Sequence, residues 1–255
     1  MQLFGEQSAP LIGIDISSAA VKVLQLSQAA GRYRVEHYGV EPLPPNSVNE
    51  KNITQVDVVG AAIKRAVAKS GSKSKFAAVA VSGSSVITKV ITVTGGLDEV
   101  AMEQQVFDEA SNHIPYQMDE VSLDFEELGP IPNTDSVQVM IAAARTENVE
   151  ARQAALEYAG LTAKVVDVEV FAVENAFKLI SGQLDVPIGG LTAIIDIGAN
   201  LTTLNIIKDG RSIYSRDQVF GGKQLSDEIM RRYGLSFNEA GAAKKLGGLP
   251  ESYES

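Results

Sequence analysis

Apolar and polar positions alternate with a period of two over residues 21–27 and 32–40. Residues 11–17, just ahead of them, form an apolar run interrupted only by Gly13, Asp15 and Ser17. With a tight turn marked by Gly31, this pattern predicts a three-stranded meander. Pro42, Pro44 and Pro45 predict an extended loop after it. Helical spacing then takes over at Val56, Val59, Ile63 and Val67. It predicts a helix capped by Thr54, running to about Lys69 and stopped by Gly71. Residues 76–81 read as a short buried strand that completes a compact first unit.

A second pattern follows. Residues 85–94 are β-branched and strand-like, and Gly95-Gly96 turns the chain into a helix from about Leu97 to His113, ended by Pro115. Residues 121–128 and 136–144 read as strands joined by a loop rich in Pro, Asn and Asp. Thr146 is the expected cap of a helix to Tyr158, closed by Gly160. Residues 163–168 return to the fully apolar strand style of the first unit, so the α+β module between them reads as an insertion. After a helix over residues 169–180 and a loop holding Pro187 and Gly189-Gly190, the opening theme repeats. An apolar strand ends in Asp196, and a hairpin turns at Asp209-Gly210, a strong two-residue turn signal. Gly221-Gly222 then opens a helix to about Tyr233. A strand with a terminal Asp followed by a hairpin therefore occurs twice, which reads as an internal duplication.

Composition narrows the function. The chain of 255 residues is 45% hydrophobic, enough for a sizeable core, and carries a formal charge of -10. A chain this acidic repels phosphate backbones, so nucleic acid is not an expected partner. It has no cysteine, which excludes disulfides, thiolate metal sites and cysteine nucleophiles. No apolar run reaches the length of a membrane span, and residues 1–10 carry Glu6 and no basic cluster. Direct membrane insertion is not expected.

The candidate chemistry lies in the repeated turns. The first is Gly13-Ile14-Asp15-Ile16-Ser17-Ser18, with Lys22 seven positions after Asp15. Gly13, Asp15 and Ser17 share one face of a strand. The turn after them offers amides and hydroxyls to an anion. A carboxylate at that place repels phosphate unless a divalent cation, Mg²⁺ held through water, lies between them. Lys22 adds a compensating charge. The second turn is Asp196-Ile197-Gly198-Ala199-Asn200-Leu201-Thr202-Thr203. It carries the same chemistry, with Gly198 for close backbone approach, Asn200 expected in a left-handed conformation, and Thr202 as a hydroxyl donor.

These turns resemble the two phosphate loops of the actin, sugar-kinase and chaperone ATPase superfamily. Asp15, Ser18 and Lys22 match the first loop, although Ser17 stands where the family has Gly. Asp196, Gly198 and Thr202 match the second, with Asn200 in place of a second Gly. The resemblance implies two related actin-like (ribonuclease H-like) α/β domains clamping Mg-ATP, with Asp15 and Asp196 sharing the cation. A β-α-β-β insertion resembles the FtsA branch. Across the whole chain, the runs 11–16, 166–172, 195–200 and 220–225 are similar to the PilM family of type IV pilus assembly proteins.

That resemblance implies residues 1–83 and 164–190 as one subdomain, 84–163 as the insertion, and 191–255 as part of a second domain whose C-terminal part is expected to be missing. It implies a cytoplasmic protein, peripheral to the inner membrane through partners. Those partners are the N-terminal cytoplasmic peptide of PilN, other pilus platform or motor proteins, and further copies of itself. It implies at most a weak ATPase. Glu169 stands where hydrolytic relatives orient the attacking water, or is simply a helix N-terminal acid favoured by the dipole. Lys244 stands where relatives carry a lysine near the ribose, or is a solvated helix residue. Gly221-Gly222 reads as a close approach of helix to strand, with phosphate contact as the other reading. An FtsA-like division or polarity protein and a small-molecule kinase are the alternatives. No catalytic Asp for a kinase is evident in residues 84–160.

Overall fold

The computed structural model describes residues 11–184, 190–247 and 249. The expected loop at Pro187 and Gly189, the reading of residues 1–10, and the stretch from Pro250 lie outside the described residues. The chain divides into two compact units, residues 1–173 and 174–255.

In the first unit, the predicted meander forms as β1 (Leu11–Ile16), β2 (Ala20–Ala29) and β3 (Arg32–Pro42). Helix α1 spans Val56–Ser70, and β6 (Phe76–Val81) pairs parallel with β1. The stretch predicted as an extended loop holds a two-residue hairpin instead, β4 (Val48–Asn49) and β5 (Asn52–Ile53), turning at Glu50-Lys51. Thr54 does not cap α1. Its hydroxyl donates to the Asn46 carbonyl at 2.6 Å and so closes the loop, leaving Gln55 at the cap position.

The insertion comprises β7 (Val86–Thr94), α2 (Glu99–Ser111), β8 (Val121–Pro130) and β9 (Ser136–Arg145). Asp98 caps α2 by accepting from the Ala101 amide at 2.9 Å, two residues into the predicted helix. Helix α3 (Thr146–Tyr158) starts with Thr146 as its first residue and Arg145 at the cap position. The hydroxyl of Thr146 accepts from that of Ser122 at 3.3 Å. Strand β10 (Thr162–Val168) then pairs parallel with β6, and helix α4 (Glu169–Ile180) follows it without a loop.

The five-stranded sheet runs β10-β6-β1-β2-β3. Alternation along β1 and β2 sends Ile12, Ile14, Val21 and Val23 to one face. There they pack with Val59 and Ile63 of α1 and Leu156 of α3. Each such side chain, taken fully out of water, contributes about 1.5–3 kcal/mol. Buried Glu41 ties β3 to α1 through Arg65 at 2.6 Å and Lys69 at 2.5 Å, and hydrogen bonds from these cations, led by Lys69, hold its carboxyl below the usual range. The opposite face carries Asp15 and Lys22 together with exposed Leu24 and Tyr38, in register across β1, β2 and β3. The insertion has its own core, in which α2 lays Val106 against Val93, Val139 and Ile141 of the sheet β7-β9-β8.

The second unit repeats the meander as β11 (Leu191–Ile197), β12 (Thr202–Lys208) and β13 (Arg211–Gln218). Asp209 and Gly210 take the left-handed turn conformation that their identities predict. Helices α5 (Gly222–Tyr233) and α6 (Phe237–Leu246) follow, the latter capped by Ser236 and Glu239.

Candidate functional site

The two repeated turns close by the same bond. In the first unit the Ser17 amide donates to the Ala20 carbonyl at 3.0 Å. In the second the Gly198 amide donates to the Leu201 carbonyl at 2.9 Å. In each case the donor stands two residues after the Asp and the acceptor five after it. The duplication read from the sequence is thus repeated at the level of single hydrogen bonds.

Strand pairing sets the first turn's charges. Register places Asp15 opposite Lys22, and the ammonium meets the carboxylate at 2.8 Å with about half of each side chain in solvent. Ser17 occupies the position where the family has Gly, and the turn accommodates its Cβ. Its hydroxyl donates to the Ala20 carbonyl at 2.9 Å and accepts from the Ala20 amide at 3.3 Å. Ser17 therefore shapes the turn. The amides of Ser18 and Ala19, and the Ser18 hydroxyl, bond to no acceptor among the described residues.

The second turn departs from expectation at Asn200. Its φ is not positive, unlike Asp209 and five other non-Gly residues among those described. The cause is the helix that follows. The amides of Gly222 and Lys223, at the start of α5, donate to the carbonyls of Gly198 and Ala199 at 2.9 and 2.8 Å. The carbonyl directions are thereby set by α5 and not by the twist of the hairpin. Glycines allow this approach. A Cβ on Gly221 would stand 2.5 Å from the Ala199 oxygen, and one on Gly198 would stand 2.8 Å from the Leu201 oxygen. Gly221-Gly222 thus packs a helix start onto the turn, and those helix amides are already spent on it.

The Thr202 hydroxyl donates to the Phe220 carbonyl at 2.8 Å, so its proton serves the fold. What this turn still offers an anion is the pair of amides of Ala199 and Asn200, which have no acceptor among the described residues. Asp196 is exposed beside them. Lys244 is exposed, and its side chain is also bonded. Its ammonium donates to the Gly222 carbonyl at 2.8 Å and the Ser226 hydroxyl at 3.0 Å, tying α6 to the first turn of α5.

A third cluster gathers around Glu169, at the end of β10 in the first unit. Lys51 donates to its carboxylate at 2.7 Å, with side-chain exposures of 18% for Lys51 and 29% for Glu169. Arg152, on α3, is 2% exposed. Its three nitrogens donate to the carbonyls of Ala80 at 2.7 Å, Asn148 at 2.8 Å and Lys51 at 2.9 Å. Burial pushes the Glu169 carboxyl up from its ordinary value. The cations Lys51 and Arg152 pull it down, and Asp15 pushes it up further. The same burial lowers the basicity of Arg152, which Glu169 opposes.

Sequence reading singled out neither Lys51 nor Arg152. Lys51 meets Glu169 across 118 positions, and no local pattern signals such a pair. Arg152 did carry a signal, because it lies three and four residues before the buried Ala155 and Leu156, on the apolar face of α3.

A meander duplicated around acidic turns, with a helix-backed sheet and an inserted α+β module, defines an actin-like ATPase fold. The family model described as type IV pilus assembly protein PilM matches residues 13–255. The chain belongs to the PilM family of type IV pilus assembly proteins. It is similar to a chain of the solved PilM–PilN type IV pilus biogenesis complex, at 27% identity and a TM-score of 0.73, over 92% of this chain and 69% of that one. The ethanolamine utilization protein EutJ from Carboxydothermus hydrogenoformans shares the fold, at 17% identity and a TM-score of 0.54, over 93% of this chain and 62% of that one. No helix among the described residues is long and apolar enough to cross a membrane.

Proposed function

We propose that this chain is an assembly protein of the type IV pilus inner-membrane platform, which holds Mg-ATP with its two acidic turns and binds the N-terminal cytoplasmic tail of PilN. The protein works in the cytoplasm, reaches the membrane through partners, and passes its nucleotide state to the machinery of extension and retraction. The observation that carries this reading is the likeness, over 92% of the chain, to a chain of a PilM–PilN complex.

The residues present fit a phosphate and its cation. Amides at Ser18, Ala19, Ala199 and Asn200 are available as donors, and Asp15 is charge-balanced by Lys22. In this proposal Asp15 and Asp196 are the carboxylates that hold Mg²⁺ through water. Mg²⁺, when bound with ATP, would supply the positive charge that makes exposed carboxylates favourable beside phosphate. Turnover is slow or absent, because Glu169, which stands where hydrolytic relatives orient the attacking water, has one carboxylate oxygen bonded to Lys51. The ligand then acts by favouring one arrangement of the chain over another, and by linkage it changes partner affinity to the same degree as the partner changes its own.

A fluorescent peptide with the first residues of PilN tests the partner. Its anisotropy is expected to saturate with this chain and to tighten by at least about threefold with Mg-ATP. No binding under either condition would remove PilN as the partner.

A further inference from the structure

The hairpin that carries Lys51 is built against its own preferences. A two-residue hairpin turn with positive φ at both positions favours Asn-Gly, because side chains at left-handed φ are costly. Here the positions are Glu50 and Lys51, at φ 45° and 67°. Each non-Gly residue so placed persists only where its surroundings over-determine it, and such strain gathers at functional sites. The surroundings here are specific. Arg152, buried on α3, holds the carbonyl of Lys51 itself, and the same guanidinium holds Ala80 near the end of β6. The Ser47 hydroxyl donates to the Pro44 carbonyl at 2.8 Å, and its own carbonyl accepts from the amides of Thr54 and Gln55. The strained turn is thus clamped from both sides, and what it delivers is the ammonium of Lys51 onto the carboxylate of Glu169.

We infer that Lys51 is a positioning residue for Glu169, fixing one oxygen of its carboxylate by a charge-assisted hydrogen bond at the C-terminal ends of the parallel strands, so that this oxygen is withheld from water. This rests on the reading that the first unit carries half of a nucleotide site. A general base must present a lone pair to the proton it takes. The Glu169 oxygen that faces Lys51 already accepts a charge-assisted hydrogen bond in a largely desolvated place, where exchange for water is disfavoured. The charged groups around Glu169 are Lys51 from the hairpin, Arg152 from α3 and Asp15 from β1. Among the described residues, removing Lys51 leaves burial and Asp15 opposed by Arg152 alone. The carboxyl then gains proton affinity and becomes free to act on water.

The test uses the whole chain with Glu169 labelled at its side-chain carboxyl carbon, and follows the NMR titration of that carbon without nucleotide. Lys51→Met is expected to raise the proton affinity of Glu169 at least about tenfold, while Lys51→Arg keeps it near wild type. The pair Glu50→Asn and Lys51→Gly keeps the hairpin in its preferred turn chemistry, so it separates loss of the amine from loss of the fold. It is expected to match Lys51→Met in the titration and to unfold no earlier than wild type. An unchanged titration in both variants overturns the inference. A second arm measures Mg-ATP binding by calorimetry and turnover in the same proteins. Turnover is expected to rise at least tenfold in Lys51→Met and to return to the wild-type level when Glu169→Gln is added. Bound ATP with no rise overturns the claim that Lys51 withholds Glu169. If no variant binds ATP, the nucleotide reading fails, and the titration still decides the role of Lys51.

Discussion

Arg152→Met is expected to destabilise the first unit by about 3–5 kcal/mol, from the loss of three hydrogen bonds given by one buried charged donor. Methionine replaces the length and apolar stem of the side chain but none of its donors. The carbonyls of Ala80, Asn148 and Lys51 lose their partner together, and these belong to a strand, a helix and a hairpin turn that no other side chain joins in this way among the described residues. Hydrogen bonds to a charged donor contribute about 1.5–3 kcal/mol each, and buried acceptors left bare keep their desolvation cost. Glu169 also loses a neighbouring cation. Arg152→Lys retains the charge but not the planar fork, so it should fall between wild type and Met. Urea unfolding, with the two units followed by separate probes because they need not unfold together, measures this. A Met variant within about 1 kcal/mol of wild type would show that the three carbonyls find water, and that Arg152 is no keystone.

Gly221→Val is the second large effect. The backbone there is extended, at φ -170°, so conformation alone allows any residue. Space does not. The first side-chain carbon would fall 2.5 Å from one backbone oxygen and 2.6 Å from another, and neither oxygen can rotate away. The start of α5 must withdraw, losing the two bonds from Gly222 and Lys223 that orient the carbonyls of Gly198 and Ala199. The expected result is a loss of about 1–3 kcal/mol in the second unit, as for other overpacked sites. If the turn holds phosphate as proposed, Mg-ATP binding should weaken at least tenfold, about 1.4 kcal/mol, because the turn that offers the Ala199 and Asn200 amides is displaced. Gly241→Ala, in the middle of α6 with nothing within 4 Å of its new carbon, is the matched control. It should leave binding unchanged and stabilise the helix by about 0.5–1 kcal/mol. Equal effects from the two substitutions would show that close packing at Gly221 is not what shapes the turn.

Where period and punctuation act locally, the fold was legible. The meander of β1 to β3 and the turn at Asp209-Gly210 follow from alternation and turn chemistry, and the end of α1 follows from its glycine. The hairpin at Glu50-Lys51 was not legible, since neither residue favours its turn and the clamp that enforces it comes from a residue about a hundred positions away. The two acidic turns were visible because each is a contiguous motif. The roles within them were less so. Ser17 and Thr202 look like phosphate donors in sequence, yet both spend their protons on nearby carbonyls, a matter of rotamer and turn geometry that no motif encodes. Asn200 suggested a left-handed residue, and the reach of α5 decided otherwise.

Calorimetric titration of Mg-ATP into wild type, Asp15→Asn, Asp196→Asn and the double variant addresses the core of this account. Measurable binding by wild type, at least about tenfold weaker in each single variant, is the predicted result, with the double variant little worse than the weaker single if, as proposed, both carboxylates act on one cation. Wild-type affinity in either single variant, or no binding by wild type, would contradict it.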